Sequence, residues 1–312
     1  MSMNTRQARV VDLVLTNIAL GYTHPDRIGH VLFPVVEVLQ RGGQVIEFGR
    51  ESFLRYATRR APGANTKRLR FGYQGRTFSL VQDALEGMVP REHLEDALEV
   101  PGIDLGVTAV NEIMDILSLS LEVEQAKIAT DAANYKDSNK VTLSGTDQWS
   151  DPASDPALQI RECGDTIRGR IGARPNVLVL SSDGFNVLAE HPKIIERFKY
   201  TSSASVTTEM LARLFNVRRV AVGEAVYMNE GDEQVQDVWG NDAVLAYVPE
   251  RISSARAPSY GYTYTLRGHP MVQEPYFERN VNSFIYPVSC ERIPVMTGMD
   301  AGFLIQNPVA AS

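Results

Sequence analysis

The sequence predicts an α+β fold in which an extended hairpin and a long helix precede a compact α/β region. Residues 41–82 alternate like a two-stranded ribbon, residues 104–133 keep a helical apolar period, and short apolar runs separated by helix caps follow Trp149. The chain has 312 residues, of which 44% are hydrophobic and 22% are charged. This is enough for one large domain or two modest ones.

Composition excludes several classes of protein. The net charge of −7 argues against a protein that binds nucleic acid over its whole surface. Cys163 and Cys290 are the only cysteines, which leaves no disulfide framework and no cysteine-rich zinc site, and suits a reducing cytoplasm. No apolar run reaches the roughly 20 residues of a spanning helix. Asp12 and Asn17 interrupt the apolar stretch near the N-terminus, so we expect neither a membrane span nor a signal peptide.

Residues 41–76 form a basic segment with the pattern of a hairpin. The segment contains nine basic and two acidic residues, which gives a net charge of +7. Gly42-Gly43 opens the segment, residues 61–65 supply turn chemistry, and residues 68–80 alternate as a returning strand. Because an isolated ribbon of this kind is only marginally stable in water, it requires a surface to lie on.

The following segment, 83–124, has the opposite charge. It carries eleven acidic residues and one basic residue, Arg91, for a net charge of −10. The two blocks could pair within one molecule, or between molecules, in which case a basic arm on an acidic neighbour closes rings or lattices. Two further interpretations of the charged segments stay open. Both segments could be solvated faces without a partner, or the basic segment, whose aromatic residues interleave with the arginines, could bind nucleic acid.

A single long helix is predicted over residues 104–133. Asp104 is a suitable N-cap, and the apolar positions that recur at helical spacing are Val107, Val110, Ile113, Met114, Leu117, Leu121 and Ile128. Such a helix would be about 40 Å long at 1.5 Å per residue. A helix of this length is unusual in an ordinary compact domain, whereas it could span a slab-shaped subunit.

The remainder predicts an α/β region followed by β structure. Asp155, Ser182-Asp183 and Thr207 or Thr208 are the predicted caps of three successive helices. The predicted strands are 176–181, 217–222, 243–248, one through Tyr260, Tyr262 and Tyr264, 284–288 and 302–306. We expect four residues to anchor the packing: Trp149, Trp239, Pro175 and Pro192.

A search for catalytic, cofactor or metal sites yields no candidate. No two of the five histidines have ligand spacing on one helix, and no phosphate-binding or dinucleotide-binding glycine motif occurs. Ser182 and Asp183 follow a strand but lack the G-x-S-x-G elbow, so capping explains them better. Cys163 lies on an apolar helix face, as a small core residue would. We therefore predict no enzyme and no cofactor.

Six short motifs follow the predicted long helix: W-x-D-P-x-S-D-P at 149–156, then RPNVLVL at 174–180, VLAEHP at 187–192, LARLFNV at 211–217, VGEA at 222–225 and VWGND at 238–242. With the order of the predicted elements, these motifs make the chain resemble the major capsid proteins of tailed bacteriophages, which have the Hong Kong 97-type fold. The likeness covers nearly all the chain from about residue 30. It implies a shell protein that assembles as hexamers and pentamers around packaged double-stranded DNA, in a virion built in the host bacterial cytoplasm.

The resemblance also implies a domain map. It runs 1–40 N-terminal arm, 41–82 extended loop, 83–144 peripheral domain with the spine helix, 145–257 axial domain, 258–297 return to the peripheral domain, and 298–312 C-terminal axial strand and tail. The extended loop would contact a neighbouring subunit through Arg50, Arg55, Arg59, Arg60, Lys67, Arg68 and Arg70. The acidic region receiving it would use Glu86, Glu92, Glu95, Asp96 and Glu99.

Further partners follow from the resemblance. An arm of about 40 residues leaves no room for a built-in scaffolding segment, which implies a separate scaffold protein or none. A portal protein, a decoration protein and DNA held without sequence-specific binding are the other expected partners. Some family members join subunits covalently through a lysine and an asparagine; Lys67 with Asn280 or Asn282 would be the pair here, although a lone lysine in a basic loop is more often only a charge.

Two alternatives compete with this interpretation. Encapsulin-type nanocompartments share the fold and enclose cargo enzymes instead of DNA. A soluble α/β enzyme would need a nucleophile–base set or a cofactor loop, and the sequence shows neither.

Overall fold

Two β-sheets and a long helix between them organise the chain. The structure is a computed structural model that describes residues 11–46, 75–97, 104–198, 205–229, 231, 234–249 and 259–310. The helices are α1 (Leu13–Gly21), α2 (Arg91–Ala97), α3 (Leu105–Thr130), α4 (Pro156–Ile171), α5 (Ser182–Glu190), α6 (Pro192–Phe198) and α7 (Thr208–Phe215). The strands are β1 (Val35–Val38), β2 (Gly42–Ile46), β3 (Gly75–Ser79), β4 (Val81–Pro90), β5 (Lys140–Thr142), β6 (Val177–Ser181), β7 (Arg219–Gly223), β8 (Val226–Tyr227), β9 (Gln236–Asp237), β10 (Asp242–Ala246), β11 (Gly261–Leu266), β12 (Met271–Val272), β13 (Tyr276–Glu278), β14 (Ser283–Met296) and β15 (Gly302–Gln306).

The first sheet has six strands built around β14. Its main path is β1-β11-β14-β12, and β13 and β4 also pair with β14. Strand β4 pairs antiparallel with β14 over ten residue pairs, from Val81 opposite Arg292 to Pro90 opposite Ser283. The sequence does not predict β4, because its apolar residues do not alternate and the strand depends on its distant partner.

The second sheet has five strands in the order β5-β15-β10-β6-β7. Strand β6 is buried along its whole length, as its continuous apolar sequence predicts. Strand β15 brings the C-terminal segment back into this sheet between β5 and β10, at the predicted residues 302–306.

Helix α3 joins the two sheets. Its 26 residues span about 39 Å at 1.5 Å per residue. Asp104 caps it as predicted, since its carboxylate accepts hydrogen bonds from the amides of Gly106 and Val107. The N-terminal half packs on the six-stranded sheet in one apolar cluster, and Ala126 and Ala129 belong to another, with residues of the five-stranded sheet.

The predicted end and face of α3 need correction. The helix ends at Thr130 rather than at residue 133, because the backbone of Asp131 is extended. The Asp131 side chain accepts from the amide of Ala133 and so caps a short 3-10 turn, Ala132–Asn134. Leu121 and Ile128 are only partly buried. In the C-terminal half the buried positions are Glu122, Gln125, Ala126 and Ala129. The apolar period of the first turns therefore does not continue along the whole helix.

The predicted caps of the α/β region hold with one exception. Asp155 caps α4, which ends at Gly172 in the left-handed conformation (φ 69°), and Thr207 caps α7. The cap of α5 is Ser181, not Ser182-Asp183: its hydroxyl accepts a 3.1 Å hydrogen bond from the amide of Gly184. The prediction is off by one residue because the last strand residue is also the cap.

Other boundaries shift in the structure. Strand β7 starts at Arg219, β10 covers 242–246, and β14 extends over 14 residues, well beyond the predicted 284–288. The base of the hairpin, β2 with β3, forms in antiparallel register from Gly42 opposite Ser79. The predicted turn at 61–65 and most of the returning strand lie outside the described residues. No helix in the described ranges has the length and hydropathy to cross a membrane.

Candidate interaction surfaces

The base of the basic hairpin is fixed to the six-stranded sheet by an ion pair. The Arg41 guanidinium donates from Nε to Glu291 Oε2 at 2.5 Å and from Nη2 to Oε1 at 2.8 Å, and these bonds raise the pKa of Arg41. Glu291 lies on β14 with only 5% of its side chain exposed. The buried His269 places Nε2 3.7 Å from Glu291 Oε1. The bidentate geometry fixes the angle at which the chain enters the hairpin.

A second attachment holds the returning side of the hairpin. The rings of Phe78 and Tyr264 stack with centroids 4.4 Å apart and an interplanar angle of 11°. The Leu80 amide donates a 2.7 Å hydrogen bond to the Arg41 carbonyl. The hairpin is therefore anchored on both sides of its base. The seven predicted contact residues, Arg50, Arg55, Arg59, Arg60, Lys67, Arg68 and Arg70, lie outside the described residues.

Four of the five predicted acidic contact residues lie on β4 and α2. Glu86 accepts a 3.4 Å hydrogen bond from the Tyr276 hydroxyl, and Glu95 pairs with Arg91 at 2.7 Å. Glu92 bonds its own backbone amide and accepts from Asn282 Nδ2 at 2.7 Å, and these bonds lower its pKa. Asp96 is exposed, and Glu99 lies outside the described residues. Glu86, Glu92, Glu95 and Asp96 form what we call the acidic edge.

The rest of the acidic block does not belong to this edge. Asp115 pairs with Arg27 at 3.1 Å, and Asp83 faces Arg292 at 3.7 Å. Asp104 caps α3. The net charge of −10 counted along the sequence is therefore divided among separate local contacts, and only part of it is offered at one surface.

Glu122, which the sequence analysis counted only as one charge of the acidic block, is a buried structural residue. It is 2% exposed. Its carboxylate accepts from the amides of Ile28 at 3.1 Å and Gly29 at 2.8 Å, and from Trp239 Nε1 at 2.7 Å. The spacing of 122, 125, 126 and 129 on one helical face was the available signal, because a charge on a buried stripe needs donors.

Apolar side chains lie exposed beside the acidic edge. The exposed fractions are 57% for Met88, 45% for Tyr276, 39% for Phe277 and 48% for Val281. Met88 and Tyr276 lie opposite the same residue of β14, Ile285. This mixture of apolar and acidic side chains on one end of a sheet suits a docking surface.

Three of the four predicted packing anchors, Trp149, Trp239 and Pro175, are buried, whereas Pro192 is exposed. Trp149 is 0% and Trp239 is 2% exposed. Trp149 Nε1 donates to Gln159 Oε1 at 2.8 Å. Pro175 packs over Gly164, with its Cγ 3.3 Å from where a Cβ would stand, and Pro192 begins α6.

The described residues contain no group of three or more histidine, cysteine or acidic side chains able to hold a metal ion. Burial raises the pKa of Cys163 to about 12 and also raises that of Cys290. A thiol held protonated is a poor nucleophile. Ser182 and Asp183 belong to the first turn of α5.

Comparison with known proteins supplies the family. A family model for phage major capsid protein E matches residues 133–276. The major capsid protein of Burkholderia phage BcepMu is 37% identical over 303 residues, covering 96% of this chain and 97% of that protein. The crystal structure of a phage-related protein from Bordetella bronchiseptica RB50 is 44% identical with a TM-score of 0.85, covering 98% of this chain and 100% of that one.

The fold extends to structures of low identity. The mature capsid of bacteriophage PhiM1 has a TM-score of 0.55 at 12% identity, covering 92% of this chain and 88% of that chain. An encapsulin complex from Synechococcus elongatus has a TM-score of 0.55 at 11% identity, covering 98% of this chain and 96% of that chain. These two likenesses concern the fold alone, whereas the BcepMu relative is similar in sequence over nearly the whole length of both chains. The chain belongs to the family of phage major capsid proteins.

Proposed function

We propose that this chain builds the head of a tailed phage, as hexamers and pentamers of an icosahedral Hong Kong 97-type shell around double-stranded DNA. The observation that carries the proposal is the 37% identity to the BcepMu major capsid protein over nearly the full length of both chains. The role is structural rather than catalytic. Portal protein, a separate scaffold protein and a decoration protein are the partners such a shell requires or accepts, and assembly takes place in the host bacterial cytoplasm.

The domain division that we propose follows the two sheets except at two strands. Residues 83–144 and 258–297 form the peripheral domain around the six-stranded sheet, and 145–257 with 298–312 form the axial domain around the five-stranded sheet. Strand β5 pairs with β15 of the five-stranded sheet although it falls in the range of the peripheral domain, and β1 of the six-stranded sheet falls in the arm. Residues 1–40 are the arm and 41–82 the extended loop. The packing of α3 against both sheets supports a slab in which the two domains stay in fixed orientation.

The basic loop of one subunit is proposed to lie on the acidic edge of its neighbour. Arg41 and Phe78 fix the loop at its base, the loop carries the positive charge, and the acidic edge offers carboxylates beside exposed apolar side chains. A single exposed ion pair contributes about 0–1 kcal/mol. Repeated at every subunit contact, such pairs determine register and partner choice more than affinity.

The first experiment is expression of the chain alone, with negative-stain electron microscopy beside size-exclusion chromatography. Rings, sheets or closed shells are the expected result, and adding the cognate scaffold protein should produce them if the chain alone stays monomeric. A chain that remains monomeric with the scaffold would contradict the proposal.

The loop contact is tested by charge exchange. Glu92→Lys with Asp96→Lys should reduce assembly, and Arg59→Glu with Arg60→Glu in the same chain should restore part of it. Glu190→Lys makes the same kind of charge change on α5 and should leave assembly unchanged. If the edge variants assemble like the wild type, the proposed contact is wrong although the shell function stands.

The encapsulin alternative has less support, since its likeness lies at 11% identity against 37% for the phage protein. Shells purified from infected cells should contain nuclease-protected DNA rather than a stoichiometric cargo enzyme.

Mass spectrometry of denatured shells tests the lysine–asparagine bond: a peptide joining Lys67 to Asn280 or Asn282 would establish it. Asn282 Nδ2 already donates to Glu92, so a cross-link there would first have to break that hydrogen bond.

A further inference from the structure

A cleft in the five-stranded half of the molecule is lined by three arginines. It has a volume of about 280 Å³ and lies between α4, α6 and α7. Its charged lining residues are Asp155, Arg161, Arg174 and Arg197. Apolar residues complete it, among them Leu158, which is 39% exposed. The cleft therefore combines apolar side chains with three arginines and one aspartate.

The positive charge of these arginines is incompletely neutralised. Arg174 approaches Asp165 at 3.3 Å with both side chains half-exposed. Arg197 lies 3.9 Å from Asp155, whose carboxylate also accepts from the Leu158 amide as the cap of α4. Arg161 is exposed and has no ion pair among the residues that the structure describes. A cleft of this kind favours an acidic occupant that also carries apolar side chains.

One segment of the same chain has this composition. Residues 226–237 contain Glu230, Asp232, Glu233 and Asp237 and no basic residue. Strands β8 and β9 pair with each other and with no further described strand. Three apolar side chains of this hairpin are exposed: Val226 at 47%, Met228 at 58% and Val235 at 63%. A two-stranded hairpin with exposed apolar side chains is marginally stable until it packs against something.

The fold separates the hairpin from the cleft within one molecule. Val217 lines the cleft just before β7 begins at Arg219, whereas the hairpin leaves the sheet after β7 ends at Gly223. The strand between them spans roughly 16 Å at about 3.3 Å per residue. A contact between two different patches on two copies is heterologous, and such contacts close into rings when the rotation between copies allows.

We propose that hairpin 226–237 of one copy docks into the arginine-lined cleft of a second copy. Asp237 lies against the arginines of the cleft, the exposed apolar side chains of the hairpin pack around Leu158, and the further acidic residues of the segment add negative charge to this occupant. The contact rests on the proposed shell function, because it needs copies of the chain to assemble. It adds a second charge-complementary interface, opposite in sign to the one between the basic loop and the acidic edge: here the donor segment is acidic and the receiving surface is basic.

Disulfide cross-linking tests the contact directly. The double variant Val235→Cys, Leu158→Cys, assembled and then oxidised, should give a ladder of covalent oligomers on a non-reducing gel. Each single variant should give none, and neither should the matched pair Val235→Cys, Ile195→Cys, because Ile195 is exposed on α6 but does not line the cleft. Assembled particles without the ladder would overturn the docking and leave the shell function standing, whereas failure to assemble under any condition would overturn both.

Charge exchange provides an independent readout. Arg161→Glu should lower the assembled fraction by tenfold or more at moderate salt, and Asp237→Lys added to the same chain should recover most of it. Arg168→Glu on the same helix, outside the cleft, should change assembly less than twofold. Equal behaviour of Arg161→Glu and Arg168→Glu would contradict the proposal.

Discussion

Trp239 Nε1 donates a 2.7 Å hydrogen bond to Glu122 Oε1, and this bond joins the five-stranded half of the molecule to the long helix. The same carboxylate accepts from the amides of Ile28 and Gly29, which precede β1 of the six-stranded sheet. One buried carboxylate on α3 thus satisfies three donors from two other segments that are distant in sequence. In a shell subunit, such a junction keeps the two halves in one orientation.

Glu122→Gln should destabilise the folded chain by about 2–4 kcal/mol, because an amide presents one acceptor oxygen and turns an NH2 group toward buried donors. Urea unfolding followed by tryptophan fluorescence measures it. Glu112→Gln, at an exposed position of the same helix, is the control and should stay within about 0.5 kcal/mol of the wild type. Equal midpoints for the two variants would contradict the assigned role of Glu122.

Gly223→Ala should be strongly destabilising. A Cβ there would stand 2.1 Å from Cδ1 of Trp239, a rigid ring that is 2% exposed and cannot easily move. Overpacking of this kind costs about 1–3 kcal/mol or more. Gly169→Ala is the matched control: nothing lies within 4 Å of its added Cβ, and alanine in a helix interior should stabilise by about 0.5–1 kcal/mol. Thermal unfolding of the two variants should therefore shift in opposite directions.

Asp242 should make the stability depend on pH. Burial raises the pKa of Asp242 to about 6 from an ordinary value of 3.8, against the opposing hydrogen bond from the Asn307 amide. The folded chain then holds this proton more tightly than the unfolded chain, so the contribution of Asp242 to stability falls as pH rises from about 4 to about 6. Asp242→Asn should raise the melting temperature at pH 7.5 but change it little at pH 4.

Asp147→Asn makes the same chemical change at an exposed side chain and should not reproduce the pH-dependent gain. If Asp242→Asn shifts the melting temperature equally at both pH values, ionisation of Asp242 is not the cause.

Neither cysteine should react with a thiol reagent in the folded chain at pH 8. Cys163 is 7% and Cys290 is 2% exposed, and burial raises the pKa of both thiols. In guanidinium both should be modified rapidly. Fast modification of one thiol under native conditions would show that its cluster opens more readily than its packing indicates.

Glu291→Gln should loosen the base of the hairpin, because the bidentate pair with Arg41 becomes a weaker neutral contact. We expect limited trypsin treatment to cleave between residues 47 and 74 faster in this variant than in the wild type. Glu274→Gln, an exposed change that leaves the pair intact, is the control. Unchanged cleavage in Glu291→Gln would show that the ion pair is not needed to hold the base.

Local features could be predicted from the sequence. Asp104, Asp155 and Thr207 cap the helices they were expected to cap, and the strand at 302–306 has the expected bounds. These features depend on interactions between residues a few positions apart, which a sequence displays directly. The family was also predictable, because several short sequence motifs stand in the order that the resemblance requires.

Tertiary structure decided the rest. Strand β4 exists because it pairs over ten residues with β14, some 200 positions later, and no local pattern marks it. Of the acidic block, Glu86, Glu92, Glu95 and Asp96 meet on one edge, whereas Glu122 is buried and Asp115 is paired. A charged residue acquires a structural role only when distant segments supply its partners. The sequence alone therefore determined the local elements and the number of charges. Folding determined which of these charges remain available to a neighbour.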